Sequence, residues 1–174
     1  MAVWGSARGD VRADLDEVFR RDYRLVVAVA ARVLGFGDEA EDVAQDVFLS
    51  FGRSSVPAAE ARGWLSVAAA HRALNLIRSG RRRASREELF VASDDAVAGD
   101  VADVVVTLEE RDRVRAALAQ LPRKQALALV LRHSGLSYAE VAAALDISPG
   151  SVGTTVRRAE QTLRKELTRH ASSH

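Results

Sequence analysis

Residues 136–159, LSYAEVAAALDISPGSVGTTVRRA, decide the architecture of the C-terminal half. Ser137 with Glu140 three positions on has the pattern of a capping box, and Ser148 before Pro149 places an N-cap residue ahead of a proline at the first helical position. Two helices are therefore predicted to start about a dozen residues apart. In the first, Val141, Ala142 and Leu145 face inward; in the second, Val152, Val156, Ala159, Leu163 and Leu167 recur at helical spacing as one apolar stripe. At roughly 100° per residue, Thr154, Arg157, Arg158 and Gln161 fall opposite that stripe, with Ser151 and Thr155 toward the N-terminal end. Small hydroxyl donors and long cations on one helix suit the major groove, where the first turns read base edges and arginines hold phosphates. An ordinary amphipathic helix also has a polar face, with arginines that are merely solvated. The rest of the chain has to decide between the two.

Composition narrows the classes. The 174 residues are 48% hydrophobic and 28% charged, enough to bury real cores in one domain or two small ones. No apolar run is long enough to span a bilayer, and the start, MAVWGSARGDVRADLDE, is too polar for a signal peptide, so a cytoplasmic location is expected. With no cysteine, disulfides, thiolate nucleophiles and Cys-type zinc sites are excluded. The four histidines are scattered and form no nucleophile, base and orienter arrangement, so neither catalysis, nor a metal site, nor a cofactor is expected. Arginine outnumbers lysine 23 to 2, which beside so much alanine reads as coding bias.

Charge is partitioned along the chain. Residues 1–84 carry 13 basic and 11 acidic groups, residues 85–110 carry 1 and 8, and residues 111–174 carry 11 and 5, for balances of +2, −7 and +6. The middle stretch, SREELFVASDDAVAGDVADVVVTLEE, lacks a strong helical period at its centre and has the composition of a linker. The pattern predicts an all-α chain of two small helical domains, residues 1–85 and 108–174, joined by a flexible acidic linker at 86–107, the C-terminal domain being a helix-turn-helix unit. Helices are expected near 12–34, 38–52, 60–79, 108–120, 122–133, 137–145 and 149–169, with a short piece around 85–91. DVVVTL is too isolated to found a sheet.

Two N-terminal helices carry opposite charge. DEAEDVAQDVFLSF, starting at Asp38, is predicted to use Asp38 as cap with Glu41 as its partner and to bury Val43, Val47 and Phe51, helped by Ala40 and Ala44. From Val33 to Phe51 there are five acids and no base. Glu41, Asp42, Gln45 and Asp46 lie on that acidic surface, which suits partner docking or plain solvation better than a metal ion, since no oxygen cage completes a site. From Ala61 to Arg86 the sign reverses, with seven arginines and no acid. There Val67, Ala70, Leu74 and Ile77 make one apolar stripe, and Leu65, Ala69 and Leu76 another. His71, Asn75, Arg78 and Arg82 fall between them, running into the basic run Arg81, Arg82 and Arg83. Amide, imidazole and guanidinium donors beside phosphate-binding cations suit DNA; a solvated basic helix end is the plainer reading. Trp64 is expected in the core.

In this order the segments resemble bacterial sigma factors of the extracytoplasmic-function (ECF) subgroup of the sigma-70 family. AEDVAQDVF is similar to the family's core-polymerase-binding helix, WLSVAAAHRALNLIR with the basic run to its minus-ten reading helix, and LPRKQALALVLRHSGLSYAEVAAALDISPGSVGTTVRRA to its minus-thirty-five domain. The resemblance covers nearly the whole chain and implies a non-catalytic initiation subunit. Glu41, Asp42, Gln45 and Asp46 would dock on the polymerase clamp helices. His71, Asn75, Arg78, Arg81, Arg82 and Arg83 would open the minus-ten element, and Ser151, Thr154, Thr155, Arg157, Arg158 and Gln161 would hold the minus-thirty-five element. It implies core RNA polymerase, promoter DNA and an anti-sigma factor or other inhibitor as partners, and no cofactor. The acidic linker would thread toward the RNA path, and residues 52–62, GRSSVPAAEAR, correspond to the family's pocket for a flipped base.

The chain also departs from the family pattern. His71 stands where many relatives have asparagine, RHSGLS is one residue short, and Gly153 replaces the usual lysine of the recognition helix. Two other classes fit part of the sequence. A dimeric helix-turn-helix repressor explains the C-terminal half without the two charged N-terminal helices. A pure interaction protein, such as a decoy of a sigma factor, uses the acidic helix without binding a promoter.

Overall fold

The computed structural model describes residues 11–35, 37–87 and 101–172, with side chains described for all of them except 81–87 and 101–107. Its elements are α1 (Leu15–Leu34), α2 (Asp38–Gly52), a 3-10 turn (Ala58–Glu60), α3 (Ala61–Glu87), α4 (Val101–Gln120), α5 (Arg123–His133), α6 (Tyr138–Leu145) and α7 (Pro149–Ala171). The fold is all-α, as expected. The described residues contain no strand.

Helix bounds differ from the sequence reading where charge obscured periodicity. The basic helix α3 continues to Glu87 instead of ending near 79, so Arg81, Arg82 and Arg83 are helical in backbone, although their side chains lie outside the described residues. Helix α4 begins at Val101, seven residues ahead of the expected start near 108, and absorbs the VVVTL run. Of the short piece expected around 85–91, residues 85–87 belong to the end of α3 and the remainder lies outside the described residues, as do residues 88–100 of the expected linker.

The apolar spacing of each helix decides what it buries. Val18, Val26, Val29 and Val33 of α1 pack with Val43, Val47, Phe48 and Phe51 of α2 and Leu65, Ala69, Leu74 and Ile77 of α3. The stripe expected on α2 is buried throughout, and Trp64 lies half-buried with its ring 5.9 Å from that of Phe51. Leu76 departs from expectation: it is 46% exposed, so the second stripe assigned to α3 is not buried along its whole length. In the C-terminal half, Leu118, Leu121, Leu127, Leu131, Leu136, Val141, Val152 and Val156 close a second part of the same contiguous core. Truncating a fully buried leucine such as Leu131 to alanine would cost ~2–5 kcal/mol.

Three local signals were tested by the geometry. The capping box of α6 is present: Glu140 N–H donates to Ser137 Oγ at 3.1 Å and Ser137 N–H to Glu140 Oε2 at 2.7 Å. Ser148 is the N-cap of α7, but its hydroxyl makes no cap bond and pairs with the Ser151 hydroxyl at 2.6 Å. The cap assigned to Asp38 is corrected: Gly37 is the N-cap of α2, and Asp38 and Glu41 lie inside the first turn, where their charges favour the helix dipole without a cap bond.

The compact RHSGLS turn has its own cause. Leu136 N–H bonds to Leu131 C=O at 3.3 Å and Gly135 N–H to Arg132 C=O at 3.2 Å, a Schellman closure of α5. Gly135 has φ 95°, which glycine adopts without a Cβ penalty. Leu136 is thereby delivered fully buried beneath α6.

Candidate nucleic-acid interface

The second helix of the helix-turn-helix presents its polar face to solvent. Ser151, Thr154, Arg157, Arg158 and Gln161 are all exposed, opposite the buried Val152, Val156 and Ala159. Thr155 is half-buried and donates its hydroxyl to Ser151 C=O at 2.8 Å, leaving oxygen lone pairs but no free proton. Among the described residues, Thr154, Arg157, Arg158 and Gln161 have no side-chain partner, so their donors are available to a ligand. Gly153 lies amid this face, and a Cβ built there would meet no atom within 4 Å.

The polar line of α3 is differently placed. His71 and Arg78 are half-buried and Asn75 is exposed. All three are engaged by the α4–α5 corner. Arg123, at the start of α5, donates Nη1–H to His71 Nδ1 at 2.6 Å and Nη2–H to Asn75 Oδ1 at 2.7 Å. Arg78 donates Nε–H to Ala119 C=O at 3.3 Å and Nη2–H to Leu121 C=O at 2.9 Å. A guanidinium has no lone pair to offer, so Nδ1 of His71 must be the unprotonated acceptor and the ring neutral. Burial pulls the His71 pKa below its ordinary value, and the positive charges of Arg123 and Arg78 pull in the same direction. Arg123 was not singled out by the sequence. LPRKQ carries no periodic signal that could have linked it to a helix some fifty residues earlier.

On α2, Glu41, Asp42, Gln45 and Asp46 are exposed on one side. Asp46 is also tied to α3 by a 2.9 Å ion pair with Arg72. Beside Gln45 opens an apolar groove lined by Val11, Leu15, Phe19, Phe48 and Leu49. Phe19 and Leu49 are 39% and 59% exposed, and Phe19 stacks edge-on against Phe48 at 5.0 Å. Leu49 is off the buried stripe, and that misfit was the available sequence signal for it.

The loop at 52–62 is held from outside itself. Arg12 lies over the Phe51 ring at 4.1 Å, donates to Val56 C=O at 2.6 Å and Ser54 C=O at 3.4 Å, and pairs with Asp14. Those bonds from Arg12 lower the Asp14 pKa. Arg21 donates to buried Asp22 at 2.8 Å and to Ala58 C=O at 3.1 Å. Two arginines thus fix the backbone leading into the 3-10 turn.

Known families match the same two regions. The Sigma-70 region 2 family matches residues 18–83 and the Sigma-70, region 4 family matches residues 111–163. Two such regions in that order define a sigma-70-type initiation subunit of RNA polymerase. The chain is 32% identical over 173 residues to the ECF RNA polymerase sigma factor SigE of Mycolicibacterium smegmatis, covering 95% of this chain and 67% of that one. It is 32% identical over 158 residues to the ECF RNA polymerase sigma factor SigK of Mycolicibacterium vanbaalenii, covering 87% and 79%. With the ECF RNA polymerase sigma factor SigW of Bacillus subtilis it shares 28% identity over 174 residues, covering 91% and 89%. Among solved structures, the sigma factor RpoE in complex with the anti-sigma factor NepR from Bartonella quintana aligns with a TM-score of 0.49 at 21% identity, covering 89% of this chain and 97% of that one. The chain belongs to the ECF sigma factors. As such it binds core RNA polymerase and directs promoter-specific initiation, and a polymerase-independent repressor is not favoured. No helix among the described residues is long and apolar enough to cross a membrane.

Proposed function

We propose that the work of initiation is divided among three faces of this chain. Helix α7 holds the minus-thirty-five element through Ser151, Thr154, Thr155, Arg157, Arg158 and Gln161. Helix α3 takes the minus-ten element through His71, Asn75 and Arg78, with Arg81, Arg82 and Arg83 on phosphates. The exposed side of α2, through Glu41, Asp42, Gln45 and Asp46, docks on the polymerase clamp helices, and the neighbouring apolar groove at Phe19 and Leu49 supplies the non-polar part of that contact. Residues 1–85 and 108–174 act as two contacting units joined by the acidic segment 86–107, the two ends of which belong to α3 and α4, and residues 52–62 receive a flipped base. The protein acts in the cytoplasm as a non-catalytic subunit and is restrained by an anti-sigma factor or similar inhibitor.

The observation that supports this reading best is the unpartnered row of donors on α7, set on the second helix of a helix-turn-helix. A phosphate contact contributes equally on every sequence, whereas a base contact discriminates. Holoenzyme carrying Arg157→Ala or Arg158→Ala should be titrated on promoters with altered minus-thirty-five elements. A phosphate arginine should weaken all promoters and lower the salt slope by about one; a base-reading arginine should cost ~1–3 kcal/mol and relax preference at one position. Unchanged affinity, slope and preference in the double variant would reduce the polar face of α7 to solvated surface.

A further inference from the structure

The strap formed by residues 52–62 has two unlike edges. Ser54, Val56 and Ala58 are half-buried while Arg53, Ser55, Pro57 and Ala59 are exposed, so alternate residues turn inward and outward. Each of the three inward residues gives its carbonyl to an arginine. Arg12, just ahead of α1, donates from Nη1 to Val56 C=O at 2.6 Å and to Ser54 C=O at 3.4 Å, and Arg21 of α1 donates from Nη2 to Ala58 C=O at 3.1 Å. Neither guanidinium is loosely placed. That of Arg12 makes a paired fork to Asp14, from Nε to Oδ1 at 2.5 Å and from Nη2 to Oδ2 at 2.7 Å, and lies over the fully buried Phe51 ring. That of Arg21 reaches one oxygen of Asp22 from Nε at 3.0 Å and from Nη2 at 2.8 Å, and Asp22 is 1% exposed. The strap's own backbone bonds close turns at its two ends, Ser54 N–H to Phe51 C=O and Glu60 N–H to Pro57 C=O. The stretch between them takes much of its shape from the two arginines.

We propose that Arg12 and Arg21 are positioning residues for base selection in the minus-ten element: by holding the carbonyls of Ser54, Val56 and Ala58 they fix the outward edge, Arg53 and Ser55 above all, against which the flipped base is read. This deepens, and rests on, the assignment of residues 52–62 as the receiver of that base. The chemistry favours a rigid receiver. Taking a base out of its stack costs free energy, and a receiver ordered in advance gives up less of the binding free energy to its own ordering. Hydrogen-bond lengths vary by only about half an ångström, so a strap that drifts further than that stops distinguishing one base edge from another. Arginine suits the role where lysine does not. Its fixed fork holds Asp14 on one side and two carbonyls on another, whereas an ammonium on a flexible stem acts as a point charge. Neither arginine has to touch DNA, so its effect is confined to the position that the strap reads.

Holoenzyme should be bound to promoter fragments pre-melted across the minus-ten element, with 2-aminopurine placed in turn at each non-template position to find the base whose fluorescence rises on binding. Affinities for the four bases at that position give a preference ratio, and the same ratio at a neighbouring minus-ten position is the control. Arg12→Lys and Arg21→Lys keep both charges, so a loss in these variants is one of geometry. The preference ratio should fall about tenfold in the double variant, the order of one lost base contact, and less in each single variant. The neighbouring ratio and the affinity for the minus-thirty-five element should stay as they are. Asp14→Asn, which loosens the fork and leaves Arg12 in place, should move the ratio in the same direction. An unchanged ratio in the double variant overturns the proposal, and so does a loss of affinity equal for all four bases, which would make the arginines fasteners of the fold or phosphate contacts. Circular dichroism checks that each variant is folded; should the double variant unfold, the single variants and Asp14→Asn decide the matter. Arg53→Ala with Ser55→Ala judges the receiver separately. If no position brightens, or if that variant keeps the parental ratio, the assignment of residues 52–62 fails and the proposal with it. A ratio lost there but kept in the lysine variants leaves the receiver standing and removes only the two arginines.

Discussion

Gly153 stands in the fifth position of α7, inside a helix that runs on to Ala171. A glycine there costs about 1 kcal/mol relative to alanine, since its backbone gives up more freedom on folding. Packing offers no compensation: the added methyl of Gly153→Ala would meet no atom within 4 Å, and the residue is not among those with positive φ. The substitution should therefore stabilise the helix by nearly the full propensity difference, about 1 kcal/mol, and raise the melting temperature of a chain this size by roughly 2–4 °C. Thermal and urea unfolding followed by circular dichroism at matched conditions would read it. A lower melting temperature would refute the reasoning, because it would mean that the glycine fills a steric need absent from the geometry. The same variant tests why glycine is present. If the bare backbone lets α7 approach DNA closely, holoenzyme with Gly153→Ala should lose affinity for the minus-thirty-five element while gaining stability. If affinity is unchanged, the glycine has no role in binding.

Other expectations follow from the charged faces. Asp42→Lys should weaken core polymerase binding by about fivefold without loss of helicity, whereas Asp46→Lys also breaks the pair with Arg72; since that pair is half exposed, its loss should scarcely alter stability. Surface plasmon resonance on immobilised core, with circular dichroism alongside, would separate the two, and unchanged affinity in both variants would remove the docking role. His71, whose pKa is held below the ordinary imidazole value of 6.5 by burial and by the charges of Arg123 and Arg78, makes stability depend on pH near neutrality. The folded chain therefore favours the neutral ring, keeps this contribution to stability in full above that ordinary value, and loses it as pH falls through it toward the lower folded-state value. Thermal stability followed by circular dichroism should fall between about pH 7.5 and about pH 5.5, and His71→Asn should flatten the response. A flat profile in the parent, or the same profile in His71→Asn, would exclude His71 as the sensor.

Much of the fold was legible because apolar spacing and burial agree where one helix face is covered. Val43, Val47 and Phe51 of α2, and Val152, Val156 and Ala159 of α7, are all buried as their periodicity requires. The Ser137 capping box was equally local and formed as read. The reading failed where the deciding partner is remote or the competition is between near-equal local options. Asp38 lost the cap position to Gly37, a one-residue shift that charge pattern does not resolve. Leu76 looked like a second buried stripe because periodicity does not say whether a neighbouring helix is there to cover it. At the candidate site, the residue types of α3 and α7 could be read one by one. What could not be read was that Arg123 meets His71 and Asn75, or that Arg12 grips the loop through Ser54 and Val56, since these contacts depend on how the helices come together.

The most direct test is transcription by purified core RNA polymerase on genomic DNA, with and without this protein, followed by sequencing of transcript 5′ ends. The account predicts a set of starts that appears only with the protein and shares two sequence blocks at fixed spacing, with Arg157→Ala plus Arg158→Ala eliminating the starts that depend most on the upstream block and His71→Ala plus Asn75→Ala those that depend on the downstream one. An identical set of starts with and without the protein, or a set indifferent to all four substitutions, would contradict it.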